Sequence, residues 1–188
     1  LGLIGLGEIG REIAPRAAAF GMEGIYHQRT PLPDDIAGPL GATYVPMDEL
    51  LARSDAISIH MRGSAETHHM IGSSELAQMK PSAFVINTSR GDIIDEEALE
   101  EALRDGALAG AGLDTFETEP LSAESTLRTL PNALLSPHTA STTDAALAES
   151  LKMVVDNVLS FLDGDIQHQV KFSAEHRHPE SGNGSKRA

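Results

Sequence analysis

The chain begins LGLIGLGEIGREIA, a short apolar run followed at once by a glycine-rich turn, Gly5 to Gly10. The apolar run reads as a buried strand. The residues after Gly7 read as a helix to about Phe20, with Ile9, Ile13 and Ala17 at helical spacing. In a strand–turn–helix of this kind the three glycines have separate tasks. Gly5 permits the tight turn, Gly7 lets the backbone approach a pyrophosphate, and Gly10 lets the helix pack close to the sheet. The first helical turn offers free N–H groups to the phosphates. Gly5, Gly7, Glu8, Ile9 and Gly10 are therefore candidate cofactor contacts. Pro15 predicts a kink or irregularity within the helix.

The rest of the chain repeats the alternation of strand and helix. Residues 24–27, 56–59, 83–86, 107–113 and 133–135 read as strands. Residues 29–41, rich in proline and glycine, read as a loop. Ser73 or Ser74 is placed to cap a short helix that ends at Lys80-Pro81. Residues 95–105 (DEEALEEALRD) read as a helix with acids in its first turn and Gly106 beyond its end. The longest helix starts near Thr143. Its apolar set of Leu147, Leu151, Val154, Val155, Val158, Leu159 and Leu162 predicts a face packed on a core. Such alternation argues for an α/β fold, a Rossmann-type doubly wound parallel sheet, over residues 1–165. Residues 174–188 are polar and rich in turn formers. They read as a disordered tail, in which His176 and His178 are solvated rather than metal ligands.

Composition narrows the function classes. The 188 residues suffice for one domain with a sizeable core, and the formal net charge is −14. A field of that sign opposes nucleic acid and anionic lipid. No apolar run is long enough to span a bilayer, and no signal peptide is visible. There is no Cys, which removes thiolate metal sites and Cys nucleophiles and fits a cytoplasmic protein. The first residue is Leu rather than Met, which suggests a fragment or processed product.

The end of the second strand bears on cofactor choice. An acid there would bind the ribose 2′-hydroxyl of NAD and repel a 2′-phosphate. The sequence instead reads IYHQRT, with Gln28 and then Arg29. Arg can pair with a 2′-phosphate, so NADP(H) is the preferred cofactor, with NAD(H) the alternative.

Reactive groups follow three later strands. NTSRG carries Arg90, LDTFETEP carries Asp114, Glu117 and Glu119, and SPHTAS carries His138. Ligands of open parallel sheets bind beyond the carboxyl ends of the strands. One Arg, a carboxylate and one His at a dinucleotide site suggest hydride transfer to a carbonyl. Arg can grip a substrate carboxylate with two hydrogen bonds. His can supply or remove the hydroxyl proton, and a carboxylate behind it fixes its orientation.

These segments resemble the D-isomer-specific 2-hydroxyacid dehydrogenase family. GLGEIG, LAQMKPSAFVINTSRGDIIDEEAL, GAGLDTFETEP and LPNALLSPHTAS match its motifs in its order, from residue 1 to roughly 162. The resemblance implies that Arg90 holds a small 2-oxo acid while Glu119 and His138 handle the proton. It implies that Asp114 lies near the nicotinamide, as does Ser141, and that Thr88, Ser89 and Arg90 line the cofactor. His60 falls at the cofactor edge in the family pattern. A homodimer is implied by resemblance only. The family's formate dehydrogenases have Gln where Glu119 stands, which argues against that branch.

Two departures stand out. In ISIHMRGSAET, Arg62 occupies a position that is usually Pro, and serves either phosphate or substrate, or is simply solvated. His68 and His69, nearby, read as surface residues. The family's substrate domain is built mainly from chain ahead of the glycine turn. The resemblance therefore implies a coenzyme domain with half a cleft, and residues 166–173 as a return toward the substrate domain. The competing readings are a dinucleotide-sensing, corepressor-like interaction protein and a non-catalytic cofactor-binding fragment.

Overall fold

The computed structural model describes residues 1–165. They fall into a unit spanning Leu1–Ser141 and a second that begins at Thr142. The expected return segment (166–173) and tail (174–188) lie outside the described residues.

The first unit is built on seven strands. They are β1 (Gly2–Ile4), β2 (Gly24–His27), β3 (Ala42–Tyr44), β4 (Ala56–Ile59), β5 (Phe84–Asn87), β6 (Gly110–Leu113) and β7 (Ala133–Leu135). All pair in parallel, in the order β3-β2-β1-β4-β5-β6-β7. The chain reverses its direction of growth between β1 and β4, so a crevice opens at the carboxyl end of β1. This is the expected doubly wound Rossmann sheet.

Side-chain alternation divides the core. Ile4, Ile25, Ile57, Ile59 and Val85 point to one face, which α3 (Met47–Arg53), α4 (Ser73–Leu76) and α5 (Glu96–Arg104) cover with Leu50, Leu76 and Leu99. Leu3 and Tyr26 point to the other, under Ala14 of α1 (Glu8–Ala19) and Ala37 of α2 (Asp34–Ala37). Farther along this second face, Phe84 and Leu134 are exposed.

Several local expectations need correction. The buried side of α1 is Gly10, Ala14 and Ala17, whereas Ile9 is 63 % exposed. Small residues let this helix lie close to the sheet, since a Cβ on Gly10 would sit 2.5 Å from the Gly5 carbonyl oxygen. Pro15 does not interrupt the helix, and its ring lies on the exposed side. Residues 29–41 contain α2 and a 3-10 turn, and β3 and α3 went unassigned by sequence pattern. The sixth strand begins only at Gly110. Gly72, not Ser73 or Ser74, stands at the N-cap of α4, where Glu75 Oε2 accepts from the Gly72 N–H at 3.1 Å.

The second unit contains α6 (Asp144–Leu162), capped by Thr143, whose Oγ1 accepts from the Ala146 N–H at 3.1 Å. The expected burial of its apolar face is not observed. No α6 residue is buried, and all seven residues of that face, from Leu147 to Leu162, are more than half exposed.

Candidate active site

The glycine turn closes tightly on its neighbours. Gly5 has φ +95°, and a Cβ there would lie 2.6 Å from the His60 carbonyl oxygen. Only glycine meets both demands without strain. Gly7 differs: a Cβ on it would meet nothing within 4 Å. The space above Gly7 is open, which is what close approach of a pyrophosphate to the backbone needs. Exposed Glu8 and Ile9 follow at the start of α1. The cradle therefore fits a dinucleotide.

The residues after β2 are less free than expected. Gln28 Oε1 accepts from the Leu6 N–H at 3.0 Å, and its Nε2 donates to the Thr30 carbonyl at 2.7 Å. Gln28 thus braces the glycine turn. Arg29 is exposed and pairs with Glu66 at 3.2 Å. At the end of β4, His60 Nε2 lies 2.8 Å from Ser58 Oγ. Burial pushes the His60 pKa below its ordinary value, favouring the neutral ring. Arg62 is exposed, in a loop where Thr67 Oγ1 donates to its carbonyl at 3.0 Å.

Beyond β5, Asn87 is buried and organises the NTSRG turn. Its Oδ1 accepts from the Ser89 N–H at 3.0 Å and from Ser89 Oγ at 2.8 Å, while its Nδ2 donates to the Arg90 carbonyl at 2.8 Å. Thr88 and Arg90 are left exposed. The Arg90 guanidinium donates to the Ser89 carbonyl at 2.6 Å. No hydrogen bond joins it to Glu119 or His138 among the described residues.

Glu119 and His138 do meet. Glu119 Oε2 lies 2.8 Å from His138 Nδ1, and Glu119 Oε1 accepts from the Phe116 N–H at 3.1 Å. The bond to His138, and next the Phe116 N–H, hold the Glu119 carboxyl below its ordinary pKa. With Nδ1 facing the carboxylate, Nε2 is the ring nitrogen that remains to exchange a proton. The pair borders a cleft of about 480 Å³, with Phe116, Leu121 and Leu135 on its walls.

Asp114 acts on the loop that carries His138. It is 3 % exposed. Its Oδ1 accepts from Ser136 Oγ at 2.5 Å and the Thr139 N–H at 2.8 Å, and its Oδ2 accepts from the Ala140 N–H at 2.9 Å. Burial pushes its pKa up, but these hydrogen bonds outweigh that and leave it lowered. They hold a turn in which His138 has φ +54°, a left-handed conformation rare for a non-glycine residue. Ser141 is exposed just beyond.

Sequence reasoning missed these braces. Asn87 followed by Ser89 at a strand end is a local turn signal that could have been read. Ser136 carried no such signal. His69, whose side chain is 36 % exposed, stands beside two carboxylates. Its Nε2 lies 2.9 Å from Glu117 Oε1 and its Nδ1 lies 3.7 Å from Asp95 Oδ2. Glu117 also accepts from the Glu96 N–H at 2.9 Å, and Glu96 accepts from the Glu117 N–H at 3.2 Å. This network ties the segment before Glu119 to the start of α5.

Fold and cradle define a dinucleotide-binding domain whose strand ends carry an Arg, a Glu–His pair and a buried Asp. Residues 1–140 match the family described as D-isomer specific 2-hydroxyacid dehydrogenase, NAD binding domain. The chain belongs to that family. It is 46 % identical over 166 residues to a glyoxylate reductase of Thermococcus litoralis, which covers 88 % of this chain and 50 % of the relative. The crystal structure of a glyoxylate reductase from Paecilomyes thermophila is similar, with a TM-score of 0.83 and 44 % identity, covering 94 % of this chain and 52 % of that one. An acyclic imino acid reductase in complex with NADPH and D-Arg matches with a TM-score of 0.80 and 32 % identity, over 90 % of this chain and 53 % of that one. The chain thus spans about half the length of the relatives it matches.

Proposed function

We propose that this chain is the coenzyme-binding part of an NAD(P)-dependent oxidoreductase that interconverts a small 2-oxo acid and the D-2-hydroxy acid. The observation that carries this reading is the 2.8 Å contact between Glu119 and His138 at the carboxyl edge of a dinucleotide-binding sheet. The glyoxylate reductase names of the relatives support glyoxylate or a similar 2-oxo acid as substrate.

Gly5, Gly7 and Gly10, with Glu8 and Ile9 at the helix start, would hold the pyrophosphate. His60 would stand at the cofactor edge, Thr88, Ser89 and Arg90 would line the cofactor, and Asp114, His138 and Ser141 would border the nicotinamide end. The bound nicotinamide would supply or accept the hydride. Arg90 would swing from the Ser89 carbonyl to grip the substrate carboxylate, with its exposed guanidinium free to do so. His138 would give a proton from Nε2 to the carbonyl oxygen as it becomes a hydroxyl, and take it back in the reverse direction. Glu119 would keep the ring oriented and balance the imidazolium charge.

The cofactor reading is NADP(H), with NAD(H) second, because no acid stands at the ribose position and Arg29 does. The NADPH-bound neighbour is compatible with it. The reading includes a homodimer, which rests on the family resemblance alone. It also includes a cytoplasmic setting, supported by the lack of Cys. Nucleic acid and membranes are not partners in this reading. No helix among the described residues is long and apolar enough to cross a membrane.

The test is loss of nicotinamide absorbance with NADPH or NADH and a panel of 2-oxo acids. It is run on this chain and on a chain extended to the relatives' length. Turnover that disappears in both Arg90→Ala and His138→Ala, with dinucleotide binding retained, supports the roles. Unchanged turnover in both variants rejects them.

A further inference from the structure

β2 and β4 flank β1 in the sheet, so the loops that leave them face each other across the crevice above the glycine turn. One ion pair spans that gap: Arg29 Nη1, just past β2, lies 3.2 Å from Glu66 Oε2, in the loop after β4. The partners are 37 residues apart in sequence, and their side chains are 87 % and 79 % exposed. Two exposed side chains in such a pair are loosely held and readily exchanged.

The neighbouring groups leave Arg29 as the residue that can answer a ribose substituent. Gln28 is committed at both ends of its amide, to the Leu6 N–H and the Thr30 carbonyl. Turning it toward a ligand would release the glycine turn. No acid stands between Tyr26 and Thr30. The carboxylate nearest to this role is Glu66, which reaches Arg29 from the opposite loop.

We propose that Glu66 is a selectivity residue of the dinucleotide site: it occupies Arg29 in the free protein and competes with an adenosine 2′-phosphate for it. This rests on the NADP(H) reading given above. A phosphate dianion carries more charge than a carboxylate and offers Arg a bidentate partner, so it displaces Glu66. A ribose bearing only hydroxyls cannot displace it and gains nothing from the exchange. Glu66 therefore weakens binding of the 2′-phosphorylated ligand and leaves the unphosphorylated one nearly untouched. The pair narrows a preference for NADP(H) that Arg29 alone would make wider.

Calorimetric titration of this chain with adenosine 2′,5′-bisphosphate and with 5′-AMP tests the proposal without turnover. Wild type, Glu66→Gln and Arg29→Ala are compared, with circular dichroism verifying that each folds. The expected result is that Glu66→Gln tightens the bisphosphate about two- to fivefold, the range that loss of an exposed ion pair supports, with 5′-AMP unchanged. Arg29→Ala removes the difference between the two ligands. If Arg29→Ala removes that difference but Glu66→Gln tightens neither ligand, or both equally, the role of Glu66 is overturned and the NADP(H) reading stands. If Arg29→Ala leaves the difference intact, the NADP(H) reading of Arg29 falls, and the role of Glu66 with it.

Discussion

A Cβ placed on Gly91 would lie 1.9 Å from the carbonyl carbon of Phe116. The turn that carries Arg90 and the turn that leads to Glu119 therefore touch backbone to backbone. Gly91→Ala must push these turns apart. Overpacking of this kind costs about 1–3 kcal/mol, and the contact here is with rigid backbone, so the upper part of that range is expected. The damage falls on the catalytic side of the sheet. On the proposed function, kcat measured in a chain extended to the relatives' length should fall more than dinucleotide affinity does. Urea unfolding and ligand titration separate the two effects.

The glycines of the cradle are expected to respond differently. Gly5→Ala combines a left-handed backbone with a 2.6 Å contact to the His60 carbonyl, and loses about 1–3 kcal/mol of stability. Gly7→Ala meets open space and an ordinary backbone angle, and changes stability by less than about 0.5 kcal/mol. Its methyl group takes the room meant for pyrophosphate, so dinucleotide affinity falls about tenfold, roughly 1.4 kcal/mol. Thermal melts with and without NADPH distinguish the two: Gly7→Ala keeps close to the wild-type Tm without ligand and shows a smaller ligand-induced rise.

Asp114→Ala leaves the Thr139 and Ala140 N–H groups and the Ser136 hydroxyl without their acceptor. A buried donor left unpaired costs about 1–3 kcal/mol, with solvent able to reach some of this loop. Denaturant midpoints should fall accordingly. The amide NMR shifts of residues 136–140 should move, while those of the glycine turn stay in place.

The Glu119–His138 pair has a definite pH signature. Glu119 is held below its ordinary carboxyl pKa, so the folded state favours its ionised form. Its contribution to stability is fully present above the ordinary value of 4.5 and is lost as pH falls through the lowered folded value. Carboxyl ¹³C titration should place Glu119 low in wild type and nearer the ordinary range in His138→Ala. If the proposed function holds, Glu119→Gln in a chain extended to the relatives' length should lower kcat by about 100- to 10,000-fold.

His60 titrates in the same sense for a different reason. Burial disfavours its charged form, so its folded pKa lies below 6.5. The stability tied to its neutral ring is complete above that ordinary value and declines as pH falls below it. Ring-proton NMR gives the folded pKa directly. A value at or above 6.5 would contradict the half-buried ring at this strand end.

How far the sequence spoke for the structure depended on whether a signal was local. β1, the glycine turn and α1 follow one another without a gap, and their pattern was legible. The α5 boundaries were readable for the same reason, with Asp95 Oδ1 capping the helix at the Ala98 N–H. β3 and α3 were missed because β3 has three residues, of which only Ala42 is buried, and because prolines flank the region. In the site, the pairing of Glu119 with His138 that the family resemblance implies is present as a 2.8 Å contact. The bracing of the His138 loop by Asp114 was not foreseen, because it joins the ends of two different strands. The bracing of the glycine turn by Gln28 was illegible for a similar reason: it joins the end of β2 to the turn after β1.

The sheet order assigns the two halves of the site to different ends. The cradle and the ribose side come from β1, β2 and β4, and the Arg, Glu and His come from β5, β6 and β7. On the proposed function, an engineer can therefore rewrite the coenzyme preference at residues 29 and 66, leave Gln28 to brace the glycine turn, and carry Glu119 and His138 over unchanged. The same division lets a lineage exchange one reductant for another without passing through a variant that has lost its chemistry.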